Sequence, residues 1–193
     1  MHFNLTNYLN NLSDTLKTLI NEEKKIIKIS DEIIKCNKKG NKILLAGNGG
    51  SCSDVEHFGG ELICTFSKRN RKPVSTQLLT GPSSSLTAWG NDFDFETYFE
   101  RQVEANGNKG DILMVLSTGG GNIKKKISTN LIYAAKIAKK KKLKVISLVG
   151  KSGGYLHKNS DISIKIKSNS TSVIQEAHMT ILHSICYYLE ENL

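Results

Sequence analysis

Apolar residues in the first forty positions recur every three or four residues, which is the spacing of an amphipathic helix. The stripe runs over residues 5–36 and contains Leu9, Leu12, Leu16, Leu19, Ile20, Ile26, Ile27, Ile33 and Ile34. This spacing predicts one long helix or two helices end to end. The polar stretch at 38–42, KKGNK, is expected to end the helical region.

Short aliphatic runs that alternate with helix-like segments follow this region. Strands are predicted at 43–46, 74–79, 111–118, 143–150 and 161–167, and helices at about 52–66, 95–106, before residue 142 and at about 171–191. Residues 67–73 are expected to form a surface loop, 83–92 a loop with a short helix, and the segment around Gly153 and Gly154 a loop.

Strands that alternate with helices indicate a parallel sheet with helices on both faces. We therefore predict the α/β class and a three-layer αβα sandwich with a mainly parallel central sheet. Residues 1–193 are expected to form one domain, in which about residues 1–38 are a helical extension.

The amino-acid composition limits which cellular compartment the protein can occupy and which kinds of metal or disulfide site it can contain. No stretch approaches the roughly 18 unbroken apolar residues of a membrane helix, so we expect a cytoplasmic protein without a membrane span. The four cysteines contain no close C-x-x-C pair, which argues against a zinc knuckle or a secreted disulfide framework. They are expected to be reduced thiols that pack as small apolar groups.

The net charge of +9 raises nucleic acid as a partner, but the type of basic residue argues against it. Only three of the 27 basic residues are arginine, the residue on which base and bidentate phosphate recognition mostly depend. The lysine runs at 124–126 and 139–142 are therefore interpreted as solvated faces, the second near a helix C-terminus.

Two glycine-rich loops follow predicted strands: GNGGS at 47–51 and STGGGN at 117–122. In a parallel sheet, ligands collect where strands lead into helices, and glycine lets backbone N–H groups turn toward an anion. The loops predict a phosphate site. Neither contains the P-loop motif or G-x-G-x-x-G, so a nucleotide cofactor is not indicated.

Two helical segments carry polar residues that could share a ligand. His57 and Glu61 stand four apart on one helix face, and a second segment holds Gln175, His178 and His183. The spacing allows a zinc-like site, an acid and base pair, or simple surface contacts. Eight residues place Gln175 and His183 about 12 Å apart along a helix, so they reach one site only from opposite ends or across subunits.

Four motifs together resemble one enzyme family: AGNGGSCSDVEHFGGEL, LTAWGNDFDFE, GDILMVLSTGGGN and IQEAHMTILH. In order and spacing they are similar to the phosphoheptose isomerases of the sugar isomerase (SIS) family. These enzymes convert sedoheptulose 7-phosphate to D-glycero-D-manno-heptose 7-phosphate, the first step of nucleotide-activated heptose synthesis for lipopolysaccharide or capsule. The resemblance spans nearly the whole chain.

The resemblance implies roles for individual residues. Substrate would contact Asn48, Gly49, Gly50, Ser51, Glu61, Asn91, Asp92, Ser117, Thr118, Gly119, Asn122, Ser128 and Gln175. The reaction centre, which can hold one Zn²⁺ per subunit, would be lined by His57, Glu61, Gln175 and His183. Glu61 would act as the base and His183 as the acid through an ene-diolate. A homotetramer with sites at subunit contacts is also implied.

The sequence departs from the family pattern in two places. Family members usually read S-T-S-G-N-S with an asparagine soon after, whereas this chain has Gly119 at the third position and about six additional residues before Ser128 and Asn130. The last phosphate-binding residue is therefore either Ser128 or Asn122. The second departure is Pro82, at a position where an aspartate is common.

Two other functions compete with a heptose isomerase. Relatives of this fold include a non-catalytic partner of a replication-initiation protein, and basic charge with an altered phosphate loop would suit such a binder. The set of His57, Glu61, Gln175 and His183 argues against a scaffold without chemistry. An isomerase or regulator for another sugar phosphate is the third interpretation.

Overall fold

A computed structural model describes residues 4–193. Its strands are β1 (Ile43–Gly47), β2 (Thr76–Leu78), β3 (Ile112–Ser117), β4 (Lys144–Val149) and β5 (Ile162–Lys165). Its helices are α1 (Leu5–Lys17), α2 (Glu23–Lys38), α3 (Gly50–Ile63), α4 (Ser83–Asp92), α5 (Tyr98–Asn106), α6 (Thr129–Lys140), α7 (Gly154–Asn159) and α8 (Thr171–Asn192). Two 3₁₀ turns, Thr18–Glu22 and Phe95–Thr97, precede α2 and α5.

Most elements lie where the hydrophobic pattern predicts them. The N-terminal stripe forms two helices, α1 and α2, that a 3₁₀ turn joins. Two helices are more extensive than predicted: α4 fills the whole of 83–92, and α7 occupies a segment expected to be a loop. The glycine signal there marks the start of α7, since Gly153 and Gly154 both have left-handed φ angles, of 79° and 52°.

The five strands form one parallel sheet in the order β2-β1-β3-β4-β5. From β1 the chain first builds β2 on one side and then returns to build β3 on the other. The strand order therefore reverses between β1 and β3. Open parallel sheets bind ligands outside the carboxyl ends of their strands at such a reversal. The predicted three-layer α/β fold is confirmed, with helices on both faces.

Alternate side chains of the strands enter two cores. Leu45 and Met114 face α2, α3 and α8, where Phe58 and Ile181 fill the layer. Their strand neighbours, among them Leu44 and Leu113, face the opposite layer with Phe99 of α5 and Leu131 of α6. This packing places α3 beside α8 on one face of the sheet. No helix within residues 4–193 is long and apolar enough to cross a membrane.

Asp111 ties the amino end of β3 to β1 and is almost fully buried. Its carboxylate accepts hydrogen bonds from the backbone N–H of Lys42 at 3.0 Å and from the Lys42 ammonium at 2.9 Å. Burial alone would raise the pKa of Asp111, but these bonds, with others from Asn41 and Asn108, lower it overall. The start of the central strand pair is therefore fixed by a paired, buried charge.

The four cysteines are free thiols. Cys36 and Cys186 are buried as predicted and Cys52 is half-buried, but Cys64 is exposed, so the expectation that it packs as a small apolar group is wrong. Burial raises the pKa of Cys36 to about 11 and that of Cys186 to about 12. The two buried thiols therefore stay protonated and pack as small apolar groups.

Glu190, near the end of α8, anchors the segment that follows α3. One carboxylate oxygen accepts the N–H groups of Ser67 at 2.6 Å and Lys68 at 2.7 Å, and the other accepts the Ser67 hydroxyl. Desolvation opposes the negative charge. The three donors outweigh it and lower the pKa of Glu190 to about 2.

We expect Glu190→Gln to remove part of the acid sensitivity of folding. The depressed pKa means that the carboxylate stabilises the fold above about pH 4.5 and loses this effect as the pH falls toward 2. Urea unfolding across this range should show a smaller loss of stability in Glu190→Gln than in the wild-type protein. Glu191→Gln, which changes an exposed neighbour, serves as the control. Equal pH profiles for Glu190→Gln and the wild type would contradict this role.

Candidate active site

A cavity of about 250 Å³ opens at the carboxyl edge of the sheet between β1 and β3. It is lined by Asn48, Gly50, Ser51, Leu116, Ser117, Thr118, Ser128, Leu131, Thr171 and Gln175. Both predicted glycine-rich loops contribute to it. The cavity therefore lies where the order of the strands reverses, and we call it the inner cavity.

Three helices begin at the inner cavity. α3 brings Gly50 and Ser51, α6 is preceded by its N-cap Ser128, and α8 begins at Thr171. Each helix N-terminus carries partial positive charge and backbone N–H groups without helical partners. Among the described residues that line the cavity, none has an ionisable side chain. An anion bound there would be held by helix dipoles and hydroxyl groups.

Glycines permit the close approach of α3 to its surroundings. A Cβ atom at Gly47 would collide with the backbone of Ser51, and one at Gly50 would collide with the side-chain amide of Gln175. Gly49 has a left-handed φ of 55° at the start of the helix. The loop sequence Gly-Asn-Gly-Gly is therefore explained by a tight turn from β1 into α3 and by the contact of α3 with α8.

A reciprocal pair of amides closes one wall of the inner cavity. Asn48 and Asn130 each donate an Nδ2–H to the other's Oδ1 at 2.9 Å, and Oδ1 of Asn130 also accepts the N–H of Leu131. On β3, the Ser117 hydroxyl accepts the N–H of Gly120 at 3.1 Å. Asn130 is absent from the predicted site residues, although the sequence pattern places an asparagine soon after the serine loop.

His57, Glu61 and His183 lie together on the facing sides of α3 and α8. Nε2 of His57 is 3.1 Å from a carboxylate oxygen of Glu61, and the rings of His57 and His183 meet edge to face with centroids 5.3 Å apart. The ring of Phe66 stacks on His183 at 5.5 Å. The predicted base and the predicted acid thus both lie beside His57, and we call this group the histidine cluster.

Arg71 positions the end of α3 that carries Glu61. Its buried guanidinium donates to the carbonyl oxygens of Glu61 at 2.5 Å and Leu62 at 3.1 Å, and also to that of Lys72. These bonds satisfy carbonyl groups that a helix C-terminus leaves free. The prediction that 67–73 is a surface loop is therefore wrong for Arg71, because its side chain is buried and donates hydrogen bonds to the carbonyl groups at the end of α3.

Asp54 lies one turn before His57 on α3. Its Oδ2 is buried and has no hydrogen-bond partner among residues 4–193. Burial, followed by the charge of Glu176, raises the pKa of Asp54 to about 6, while His57 opposes the shift. Nothing in its sequence spacing distinguished this residue from an ordinary helical aspartate.

The four predicted metal ligands divide between the two sites. Gln175 contacts Gly50 at the inner cavity, whereas His183 lies with His57 in the histidine cluster, about 12 Å further along α8. Across residues 4–193, no group of three or more His, Cys, Asp or Glu side chains is arranged to hold a metal ion. These four side chains would therefore reach a single ion only from opposite ends or across subunits, and one Zn²⁺ per subunit stays a prediction.

Known proteins resemble this chain in sequence and in fold. Residues 7–150 match the SIS domain family. The chain is 41% identical over 167 residues to phosphoheptose isomerase 1 of Campylobacter jejuni, covering 86% of each chain. It is 40% identical over 182 residues to the phosphoheptose isomerase of Aliarcobacter butzleri, covering 94% of this chain and 91% of the relative. The protein belongs to the phosphoheptose isomerase family.

Structural similarity extends over the whole molecule. A solved phosphoheptose isomerase from Francisella tularensis superimposes with a TM-score of 0.86 at 30% identity, covering 99% of this chain and 100% of that one. The resemblance noted in the four motifs is therefore confirmed. As a member of this family the protein is an enzyme, a sugar-phosphate isomerase, which argues against the non-catalytic alternative.

The remaining predicted site residues of this phosphoheptose isomerase lie in different places. Gly49 lines a second cavity of about 270 Å³ that shares Asn48 with the inner one. Asn91 and Asp92 are exposed at the end of α4, bonded to each other at 2.8 Å, and neither lines the inner cavity. Gly119 follows Thr118 in the serine loop and has open space beside its Cα.

The departure from the family's serine loop has a clear structural form. Residues 122–127 make a small hairpin, in which Asn122 and Ile127 exchange backbone hydrogen bonds of 2.8 and 3.0 Å. The chain then returns, and Ser128 reaches the inner cavity beside Ser117. Asn122 instead lines a different cavity, which shares no residue with the inner one. Of the two candidates for the last phosphate-binding residue, the geometry favours Ser128.

Proposed function

We propose that this enzyme converts sedoheptulose 7-phosphate to D-glycero-D-manno-heptose 7-phosphate, for lipopolysaccharide or capsule synthesis. The observation that carries the proposal is the convergence of three helix N-termini and the hydroxyls of Ser117, Thr118 and Ser128 on one cavity. This arrangement suits a phosphate group. Acid and base side chains stand further along two of the same helices, α3 and α8.

The aldose–ketose conversion needs one proton moved between neighbouring carbons. In the proposed reaction, the Glu61 carboxylate takes the C1 proton of the ketose, and an ene-diolate forms. The same group returns the proton to C2, while His183 supplies and accepts protons at the oxygens. His57, bonded to Glu61 at 3.1 Å, holds the carboxylate in place.

These steps use only groups of the chain itself. Gln175 lies at the inner cavity and His183 in the histidine cluster, so the four expected zinc ligands would have to reach one ion from opposite ends or across subunits. One zinc ion per subunit therefore stays a prediction for the assembled protein.

We further propose a homotetramer with its sites at subunit contacts. Ile20 is 76% exposed and Ile27 37% exposed on an apolar groove formed by α1, α2 and α8. Burying such a surface against other copies would be favourable. Asn91 and Asp92, which do not reach the inner cavity of their own chain, would then be available to a neighbour. Free thiols fit the proposed cytoplasmic location.

Purified protein incubated with sedoheptulose 7-phosphate is expected to form the aldose heptose 7-phosphate. Product formation would be followed by chromatography or mass spectrometry after chemical trapping of the aldehyde. Ribulose 5-phosphate and fructose 6-phosphate are the comparison substrates. A higher kcat/KM for either one would favour the alternative of an isomerase for another sugar phosphate, and absence of any conversion would reject the proposal. The zinc prediction would be contradicted if protein treated with a chelator, and shown by metal analysis to contain no zinc, kept its full activity.

A further inference from the structure

A third cavity at the carboxyl edge of the sheet, the one that Asn122 lines, has no part in the proposed reaction. It measures about 410 Å³, within the usual range of small-molecule sites. It is lined by Gly121, Asn122, Ile123, Lys124, Ser152, Gly154, Tyr155, Lys158 and Asn159. We call it the outer cavity. It shares none of these residues with the inner cavity.

The additional residues of this chain build one wall of the outer cavity. The hairpin at 122–127 is held by the paired backbone bonds of Asn122 and Ile127, and the Asn122 side chain accepts the N–H of Lys125 at 3.1 Å. The opposite wall is α7 and the loop before it. Backbone bonds from Tyr155 and Leu156 to the carbonyls at 121 and 120, of 3.0 and 2.9 Å, join the two walls at their base.

The lining is positively charged and well supplied with polar groups. Lys124 and Lys158 bring two ammonium groups, and none of the described lining residues is an Asp or Glu. A third ammonium, that of Lys136, lies 5.6 Å from the ring centroid of Tyr155. Amide and hydroxyl side chains complete the lining. Two uncompensated cations beside such groups match a phosphate monoester that carries hydroxyl groups.

The backbone around the outer cavity is strained. Lys126, Ser128 and Lys151 have positive φ angles of 52°, 50° and 47°, and only Lys142 shares this feature among the non-glycine residues at 4–193. Residues other than glycine avoid this conformation, and a fold retains it where the surrounding structure demands it, often at ligand sites. Two of the four strained positions, Lys126 and Lys151, therefore lie on the hairpin and on the loop before α7, the segments that form this cavity.

We propose that the outer cavity is a second anion site, which binds the phosphate group of a small hydroxylated metabolite. Its ligand is distinct from the substrate in the inner cavity. Lys124 and Lys158 neutralise the phosphate, while Asn122, Ser152 and Asn159 contact the hydroxylated part. The ring of Tyr155 offers an apolar face to the carbon skeleton.

Calorimetric titration of the full-length protein with inorganic phosphate and with glycerol 3-phosphate tests this site. Wild-type protein is expected to bind two phosphates per subunit, one in each cavity. The double variant Lys124→Met with Lys158→Met should bind at the outer cavity at least about tenfold more weakly and keep the inner site. Lys125→Met is the control for the hairpin position, because it removes one positive charge next to Lys124 at a residue that does not line the cavity.

The outcomes separate this proposal from the proposed isomerase. If the double variant still binds two phosphates as tightly as the wild type, the proposal of an outer anion site is rejected. It is also rejected if Lys125→Met loses as much binding as the double variant, because that result would indicate a general effect of charge. A single wild-type site that the double variant abolishes would support the outer cavity and count against phosphate binding in the inner one. Melting temperatures and circular dichroism verify that each variant is folded.

Discussion

Glu61→Gln is expected to reduce the turnover of sedoheptulose 7-phosphate by two or more orders of magnitude without unfolding the protein. The substitution keeps the size of the side chain and removes the carboxylate that is proposed to take the proton from carbon. General acid–base groups typically contribute about 10² to 10⁴ in rate. The remaining contacts of the helix end, including the bonds of Arg71 to the Glu61 and Leu62 carbonyls, involve backbone and should persist.

Steady-state kinetics with Glu61→Gln measure kcat and KM separately. A loss confined to kcat would support a role in the chemical step, because a residue that only binds substrate would mainly change KM. Glu104→Gln, at an exposed ion pair with Arg101 on α5, makes the same chemical change far from the site and should leave both constants unchanged. Near-native turnover in Glu61→Gln would reject the assignment of the base.

The order of the sheet explains why two distant loops share one site. The chain enters β1 and β3 at positions far apart in sequence, yet the two strands pair side by side, from Ile43 opposite Ile112 to Gly47 opposite Leu116. Their carboxyl ends therefore meet, and so do the loops that follow them. The amide pair of Asn48 and Asn130 then connects the first loop to α6, which follows the second.

Periodicity was sufficient to predict most of the fold. Strands such as β3 are entirely buried, so their aliphatic runs are unmistakable, and the helices of the N-terminal region carry a regular apolar stripe. The helix that was not predicted, α7, and the one that is longer than predicted, α4, lack such a signal. α7 has six residues with one buried side chain, Leu156, and α4 has none that is fully buried. Whether a short surface helix forms depends more on its turns and capping residues than on a periodic pattern of apolar residues.

The candidate site was predictable where local motifs determine it. The glycine loops, Ser117 and the His57–Glu61 spacing could be read directly, and the axial distance between Gln175 and His183 followed from helix geometry. Arg71 and Asp54 could not be found in this way. Their roles depend on the burial of an arginine against helix-end carbonyls and of a carboxylate oxygen without a partner, and both are consequences of tertiary packing.

The choice between Ser128 and Asn122 shows the same limit. Sequence alone shows that residues have been added to the serine loop, but it does not show where the additional chain goes. The backbone pairing of Asn122 with Ile127 turns the insertion outward as a hairpin, so that the following residue returns to the inner cavity. A short cross-strand pairing thus decides which side chain lines the inner cavity.

Gly120→Ala is expected to destabilise the protein by about 2 to 4 kcal/mol. Gly120 has a left-handed φ of 70°, and a Cβ atom there would collide with the backbone of Gly153 and Gly154. Because the obstacle is backbone, it cannot move aside as the end of a flexible side chain would. The serine loop and the start of α7 would have to separate, which would break the bond from the Leu156 N–H to the Gly120 carbonyl.

The neighbouring glycine provides a matched control for this loss. A Cβ atom at Gly119 meets no atom within 4 Å, and the residue does not have a positive φ, so Gly119→Ala should change the free energy of unfolding by no more than about 0.5 to 1 kcal/mol. Urea unfolding monitored by circular dichroism compares the two variants with wild type. Similar stabilities for the two variants would show that the loop and α7 are not tightly joined. The two walls of the outer cavity, which meet at this contact, would then be free to move relative to each other.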